Sequence, residues 1–138
     1  MSGSDAGAAF EQSFPAITTM QLVKYAGASD DYNRIHYDQA FAQSAGLGGV
    51  IAHGMLTMGL MTSALTQWGG PRAFVRRVSA RFLAPVRPGD VVRVEGRITA
   101  SRETEAGHDV DCELVAKVGE RSVATGEGTL RLTAARTA

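Results

Sequence analysis

The sequence has only one cysteine, Cys112, and only two lysines among its 14 basic residues. A single cysteine excludes an intrachain disulfide, so nothing indicates an oxidising compartment, and we expect a cytoplasmic protein. No apolar run reaches the ~20 residues that a membrane-spanning helix needs. The first ten residues also lack the basic and apolar regions of a secretion signal. We therefore predict no membrane span.

Net charge is also missing: the formal charge is +0 at pH 7 and the pI is about 6.8. A chain without excess positive charge lacks the field that holds proteins on nucleic acid or on anionic membranes, so we expect neither partner. A length of 138 residues fits one domain. Because residues 1–13 are rich in Ser, Gly and Ala, we expect them to be a flexible N-terminus, followed by a single domain over residues 14–135.

Helical patterns occupy the first half of the chain. Thr18 or Thr19 is suited to cap a first helix that ends near Gly27, and Asp38 is suited to cap a second short helix. Residues 50–68 form the longest apolar segment, with apolar side chains on nearly all sides, which is typical of a buried helix. This segment is too short to be a convincing membrane span.

Alternating patterns occupy the second half of the chain. They predict strands near residues 74–82, 92–98, 110–118 and 121–132, with a hairpin loop at 103–109. In the first strand the alternation places Phe74, Val78, Ala80 and Phe82 on one face. The order of elements predicts an α+β fold in which the long helix packs on an antiparallel sheet.

Polar chemistry is concentrated in residues 29–60. Asp31, Asn33 and His36 fall in a loop without helical or strand period. An Asp and a His held together can bind a water and move its protons near neutral pH, although the same spacing is typical of a solvated turn. Asn33 is also a common turn residue, because its side chain bonds its own backbone.

The start of the long helix provides a second candidate feature. Gly54 exposes backbone N–H groups at the positive end of the helix dipole and leaves room for a carbonyl, which is the composition of an oxyanion site; close packing is the alternative role. We expect His53 to support the start of the helix rather than to act as a second base. Thr62 is most simply bonded to the helix backbone, with substrate contact as the alternative.

Other reactive residues predict little chemistry. Cys112 lies on the inward face of its strand and is expected to be an inert buried thiol. His108 lies at the predicted hairpin loop and is expected to be solvated. The three histidines do not have a metal-ligand spacing, so we predict no metal.

Two motifs carry a resemblance to a known family. The segments DDYNRIHYD and IAHGMLTMG resemble the MaoC-like, (R)-specific enoyl hydratases of the hotdog superfamily, whose signature is close to D-x-N-P-x-H-x-D followed by A-H-G-M. Asp31, Asn33, His36 and Asp38 match the first motif, and residues 52–55 match the second. The resemblance covers roughly residues 16–132, and within the group the chain is similar to the mycobacterial (3R)-hydroxyacyl-carrier-protein dehydratases.

The resemblance implies a single hotdog fold and the reversible hydration of trans-2-enoyl thioesters to (R)-3-hydroxyacyl thioesters. Asp31 and His36 would activate the water, Asn33 would help to fix their loop, and the Gly54 N–H would polarise the thioester carbonyl. No cofactor is implied. The alternatives are a catalytically weak assembly subunit of a heteromeric dehydratase and an acyl-thioester hydrolase.

The resemblance also implies partners. The substrate would be an acyl-CoA or an acyl carrier protein thioester. A homodimer is expected, with a heterodimer containing a paralogous hotdog subunit as the alternative.

One residue departs from the family signature: Arg34 stands where proline is usual. Proline fixes the backbone φ angle, so its replacement is expected to loosen the loop. A cation three residues from Asp31 would also weaken that carboxylate as a base if the two side chains approach each other. Alternatively, Arg34 faces outward, where it could meet a ligand phosphate.

Overall fold

The structure, a computed structural model, describes residues 6–133, and these form three α-helices, one short 3-10 helix and a five-stranded sheet. In chain order the elements are β1 (Ala9–Ser13), α1 (Thr19–Ser29), the 3-10 helix η1 (Arg34–His36), α2 (Gln39–Ser44), α3 (Gly54–Gly69), β2 (Ala73–Phe82), β3 (Val92–Thr104), β4 (Gly107–Val118) and β5 (Arg121–Leu132). None of the helices in this part of the chain is long and apolar enough to cross a membrane.

The sheet is antiparallel throughout, with the strand order β1-β3-β4-β5-β2. The three central strands follow one another as a meander, and β1 and β2 form the two edges. Alternate side chains of the central strands point toward one face, where they form most of the buried core. The predicted antiparallel sheet behind one long helix is confirmed.

Helix α3 lies against this face of the sheet because β5 has small residues beneath it. A Cβ atom added to Gly128 would lie 2.7 Å from Leu65 Cδ2, whereas one added to Gly126 would meet the Ser79 carbonyl oxygen of β2 first and Met61 Cε at 3.1 Å. Gly128 therefore lets the helix approach the strand closely, and Gly126 makes room for the backbone of β2 as well. The start of α3 is partly uncovered in the single chain, since Met55 is 57% exposed there.

The N-terminal prediction was wrong for residues 9–13. These residues form β1, which pairs with β3, and Phe10 stacks on Trp68 with ring centroids 5.3 Å apart. One aromatic side chain thus anchors a segment whose composition suggested flexibility. Residues 1–5 and 134–138 lie outside the described residues, so the predicted domain end at residue 135 falls there too.

Helix capping follows the sequence at the starts of α1 and α2. Thr18 caps α1 through a reciprocal pair of bonds with Gln21, and Asp38 caps α2 by accepting the Phe41 N–H. The predicted end of α1 at Gly27 was wrong, because the helix continues to Ser29. Asp30 ends it in the left-handed conformation (φ 56°), with its N–H bonded to the Ala26 carbonyl.

Two predictions for the strands were also wrong. The pairing of β2 with β5 shifts between Val75 and Arg77, so the alternation reverses there and Phe74 points outward, 65% exposed. The predicted loop at 103–109 is only a two-residue turn between Thr104 and Gly107. His108 therefore belongs to β4 and is buried, with its Nδ1 bonded to Glu103 Oε1 at 2.7 Å.

Candidate active site

The loop between α1 and α2 is fixed by short-range bonds to its own backbone. Asp31 Oδ1 accepts the Asn33 N–H at 3.2 Å, and Asn33 Oδ1 accepts the Ile35 N–H at 3.2 Å, which caps η1. These are the side-chain turns that Asp and Asn favour. Asn33 therefore supports the loop, and its backbone carbonyl also accepts the His36 N–H at 3.1 Å.

His36 is oriented by the chain that leads into α3. Its Nδ1 lies 2.8 Å from the Ile51 carbonyl oxygen, and the Ile51 N–H donates in turn to the Ile35 carbonyl at 3.0 Å. A carbonyl only accepts, so Nδ1 carries the proton of this bond. In the neutral ring Nε2 then has a free lone pair, and His36 is fixed as a proton acceptor at that atom.

Asp31 and His36 face each other across a gap. Asp31 Oδ2 lies 3.9 Å from His36 Nε2, which is too long for a direct hydrogen bond. The Asp31 side chain is 51% exposed, whereas that of His36 is only 8% exposed. A water molecule that bonds both atoms fits this separation and can be supplied from the exposed side.

His53 lies directly against His36. The two rings are stacked, with centroids 3.7 Å apart and an interplanar angle of 20°, and Tyr25 packs on His53 at 4.7 Å. His53 Nε2 lies 3.3 Å from the Asp31 carbonyl oxygen, so it donates to the loop backbone. Burial lowers the pKa of His53, which favours the neutral ring. The expected support of the helix start stays a prediction, and the contacts shown here hold His53 against the loop that carries Asp31 and His36.

His53 Nδ1 is buried and has no hydrogen-bond partner among the described residues. In addition, donor atoms of Asp31, His36 and His53 all lie within 4.8 Å of one another. The sequence spacing predicted no metal, and it paired Asp31 with His36 but did not place His53 beside them. The cluster is compact because two loops, before η1 and before α3, converge on one point.

Gly54 is the first residue of α3, beside this cluster. The first N–H groups of a helix lack partners within the helix, so the Gly54 N–H is free to meet an acceptor. A Cβ atom at position 54 would lie 3.0 Å from Phe82 Cε2. Both roles considered for Gly54, the oxyanion site and close packing, therefore have a physical basis in this structure.

Arg34 lies away from the Asp31 carboxylate. Its Nε and Nη2 both bond Asp38 Oδ2, at 3.1 and 2.8 Å, and its guanidinium lies 4.3 Å from the centre of the Phe41 ring. The guanidinium is thus already engaged by α2. The guanidinium therefore pairs with Asp38, and it is not a free cation for a ligand phosphate.

The remaining candidates lie outside the cluster. Thr62 donates to the Met58 carbonyl at 2.9 Å and lies about 12 Å along the helix from Gly54, from a rise of ~1.5 Å per residue. The simplest expectation for Thr62 is therefore correct. Cys112 is buried, and burial raises its pKa to about 11, which agrees with the expected inert thiol.

Sequence comparison identifies similar proteins. The family profile described as MaoC like domain matches residues 4–120. A 3-hydroxybutyryl-CoA dehydratase from Methylorubrum extorquens is 32% identical over 117 residues, which cover 84% of this chain and 73% of that protein. An (R)-specific enoyl-CoA hydratase from Aeromonas caviae is 32% identical over 113 residues, which cover 81% of this chain and 84% of that protein.

Solved structures give the same result for the fold. The (R)-hydratase from A. caviae, described as involved in PHA biosynthesis, has a TM-score of 0.83 at 29% identity, covering 92% of this chain and 96% of that chain. The HadBC (3R-hydroxyacyl-ACP dehydratase) complex from Mycobacterium tuberculosis has a TM-score of 0.74 at 14% identity, covering 94% of this chain and 99% of that chain. The second likeness concerns the fold alone. The predicted hotdog fold is confirmed.

Proposed function

This chain belongs to the MaoC-like domain family, and we propose that it catalyses the reversible addition of water to trans-2-enoyl thioesters, which gives (R)-3-hydroxyacyl thioesters. Both relatives described above carry names of this hydratase and dehydratase chemistry. The observation that carries the proposal is the 3.9 Å gap between Asp31 Oδ2 and His36 Nε2, with the start of α3 beside it.

Water activation is the first step. The water lies between Asp31 and His36, and it donates one hydrogen bond to each of them, because His36 is fixed with the lone pair of Nε2 free. His36 Nε2 takes one proton of the water while the water oxygen bonds to C3 of the enoyl group. Asp31 accepts the hydrogen bond from the second water hydrogen, and its charge stabilises the protonated imidazole.

Charge on the thioester oxygen is the next requirement. As the C3–O bond forms, the electron pair of the C2–C3 double bond moves toward C1 and the carbonyl oxygen becomes an enolate oxygen. The Gly54 N–H, backed by the dipole of α3, stabilises this oxygen. The enolate then takes the proton from His36 at C2, so the water has supplied both the hydroxyl and the hydrogen, and His36 is neutral again.

The two alternative functions lack a supporting observation. An assembly subunit without catalysis does not need an oriented His36 facing a carboxylate, and both groups are present here. Neither relative described above carries the name of a thioester hydrolase. The observations therefore favour the hydratase over both alternatives.

Partners and location follow from the same proposal. We propose an acyl-CoA or an acyl carrier protein thioester as substrate, and a dimer formed across the partly uncovered start of α3, where Met55 is exposed. A homodimer is our first expectation and a heterodimer with a paralogous hotdog chain the second. A cytoplasmic location stays a prediction from the single cysteine.

The reaction is tested with purified protein and crotonyl-CoA. The absorbance of the conjugated enoyl thioester and the release of free thiol are followed together, and the product is separated by chiral chromatography. We expect loss of absorbance without thiol release, and the (R)-3-hydroxy product. Thiol release would assign the hydrolase instead, and an inert protein that gains activity only with a second hotdog chain would assign the assembly role.

A further inference from the structure

We propose that Arg34 is a positioning residue, which holds the loop of His36 by side-chain contacts where the family signature uses the ring of proline. The proposal rests on the proposed function for its kinetic consequences. Arg34, Asp38 and Phe41 form the set of contacts that we call the loop clamp. It joins the first residue of η1 to the start of α2, with His36 between them.

Each contact of the clamp is well defined. Two nitrogens of the Arg34 guanidinium bond the same oxygen of Asp38, and the other Asp38 oxygen accepts the Phe41 N–H at 3.0 Å. The guanidinium also lies over the Phe41 ring. One carboxylate therefore caps α2 and binds η1 at the same time, and its negative charge strengthens both contacts.

The backbone closes the loop in the same place. The Arg34 carbonyl accepts the Asp38 N–H at 2.8 Å and the Tyr37 N–H at 3.3 Å. Residues 34 and 38 are thus joined by backbone and side-chain bonds, and His36 lies within the segment that these bonds close. Restricting this segment keeps His36 Nδ1 on the Ile51 carbonyl and its Nε2 opposite Asp31.

Position 34 also accepts proline, which makes the proposal testable. It is the first residue of η1, where a backbone N–H has no helical partner. Asn33 has φ −58° and ψ 126°, the extended conformation that a residue before proline prefers. An Arg34→Pro variant can therefore fix the loop through its backbone without the clamp. Arg34→Ala removes the clamp and supplies no replacement.

The loop clamp is partly exposed, so we expect its strength to depend on the salt concentration. The side chains of Arg34 and Asp38 are 56% and 29% exposed. Ion pairs at such positions are screened by salt, whereas the ring of proline is not. We therefore expect the loop to loosen at high salt in the native chain and to stay fixed in Arg34→Pro.

The kinetic test measures kcat and KM for crotonyl-CoA hydration in the native chain and in Arg34→Ala, Arg34→Lys and Arg34→Pro. We expect Arg34→Ala to lower kcat about 5-fold while KM changes less than about 2-fold, because only the position of His36 is affected. The kcat of Arg34→Lys should lie between that of the native chain and that of Arg34→Ala. Arg34→Pro should restore kcat and remove its decline at high salt. Arg97→Ala, which breaks the exposed pair with Glu113, is the control and should leave kcat unchanged.

A second measurement does not depend on activity. Amide hydrogen exchange of residues 31–38 should be faster in Arg34→Ala than in the native chain and should be slowed again in Arg34→Pro. Equal exchange in all three proteins would overturn the clamp even if the hydratase is active. A rise in KM alone would also overturn the clamp, since the arginine would then act on the ligand. An Arg34→Pro variant as slow as Arg34→Ala would overturn it as well. Protein without hydratase activity that shows the expected exchange pattern would refute the proposed function and retain the clamp.

Discussion

The imidazole of His53 lies nearly parallel to that of His36, with ring centroids 3.7 Å apart. The two residues come from separate loops, and His53 also donates to the Asp31 carbonyl. His53 thus contacts both His36, the proposed proton acceptor, and the backbone of Asp31, which faces His36. Because the ring is only 1% exposed, its contacts are fixed by packing on all sides.

Shortening His53 should affect both stability and rate. His53→Ala removes a buried ring and leaves a cavity, so we expect the free energy of unfolding to fall by about 2 kcal/mol and kcat to fall about 10-fold. His53→Phe keeps the stacked ring but loses the bond to Asp31, so its kcat should be intermediate. Denaturant unfolding and steady-state kinetics measure both effects. A His53→Ala variant with native kcat would show that the stack does not position His36.

The lowered pKa of His53 predicts a pH dependence of stability. Burial is the main cause, and the charge of His36 adds to it, while the bond to the Asp31 carbonyl and the Asp31 charge act in the opposite direction. As the pH falls through about 6.5, the unfolded chain takes up a proton at His53 before the folded chain does, because the pKa of His53 is lowered in the folded chain. Stability is therefore fully present above the ordinary histidine pKa and declines as the pH falls below it.

Comparison with His53→Gln isolates this effect, because glutamine does not titrate. Denaturant unfolding at several pH values between neutral and mildly acidic should show a steeper loss of stability on acidification for the native chain than for the variant. Parallel pH profiles for the two proteins would mean that His53 titrates alike in the folded and unfolded chains.

Gly54 and Phe82 allow the two roles of Gly54 to be separated. A Cβ atom at position 54 would press on the Phe82 ring, so Gly54→Ala should lower both stability and kcat. In the double variant Gly54→Ala with Phe82→Ala the packing conflict is gone. We expect thermal stability to recover relative to Gly54→Ala, while kcat stays low because the methyl group still obstructs the carbonyl. Recovery of kcat as well would assign Gly54 to packing alone.

Cys112 should be unreactive in the folded protein. Its pKa of about 11 leaves roughly one thiol in a thousand ionised at pH 8, and the side chain is buried on β4. A thiol reagent should label the native chain very slowly and the unfolded chain at an ordinary rate. Rapid labelling without denaturant would indicate that β4 opens locally.

The parts of the fold that depend on local rules were predictable from the sequence. Thr18 and Asp38 have the side chains that N-caps require, and residues 121–132 have the period of a strand. Phe74 was misplaced because a bulge at Val75 and Arg77 reverses the alternation, and a bulge depends on the neighbouring strand. Strand β1 was missed because its partners, strand β3 and the ring of Trp68, are distant in sequence.

In the candidate site, too, local features were predictable from the sequence and tertiary contacts were not. The turn that joins Asp31 to Asn33 is local, so the motif was sufficient to place these residues in one loop. The stacking of His53 on His36 and the bond from His36 to Ile51 join segments that only the tertiary fold brings together. The pairing of Arg34 with Asp38 could not be predicted either. The arginine side chain is long, and the sequence places several carboxylates near enough in the chain to be its partner.

The most direct test of the water site compares two carboxylates that each face a buried histidine. Asp31 faces His36 at the candidate site, and Glu103 bonds His108 at the turn between β3 and β4. Asp31→Asn and Glu103→Gln remove one exposed charge each, so kcat for crotonyl-CoA hydration separates catalysis from general electrostatics. We predict that Asp31→Asn lowers kcat by about 10²-fold or more, because the protonated His36 imidazole loses the charge that stabilises it, and that Glu103→Gln retains native kcat. Native kcat in a folded Asp31→Asn variant would contradict the proposed mechanism.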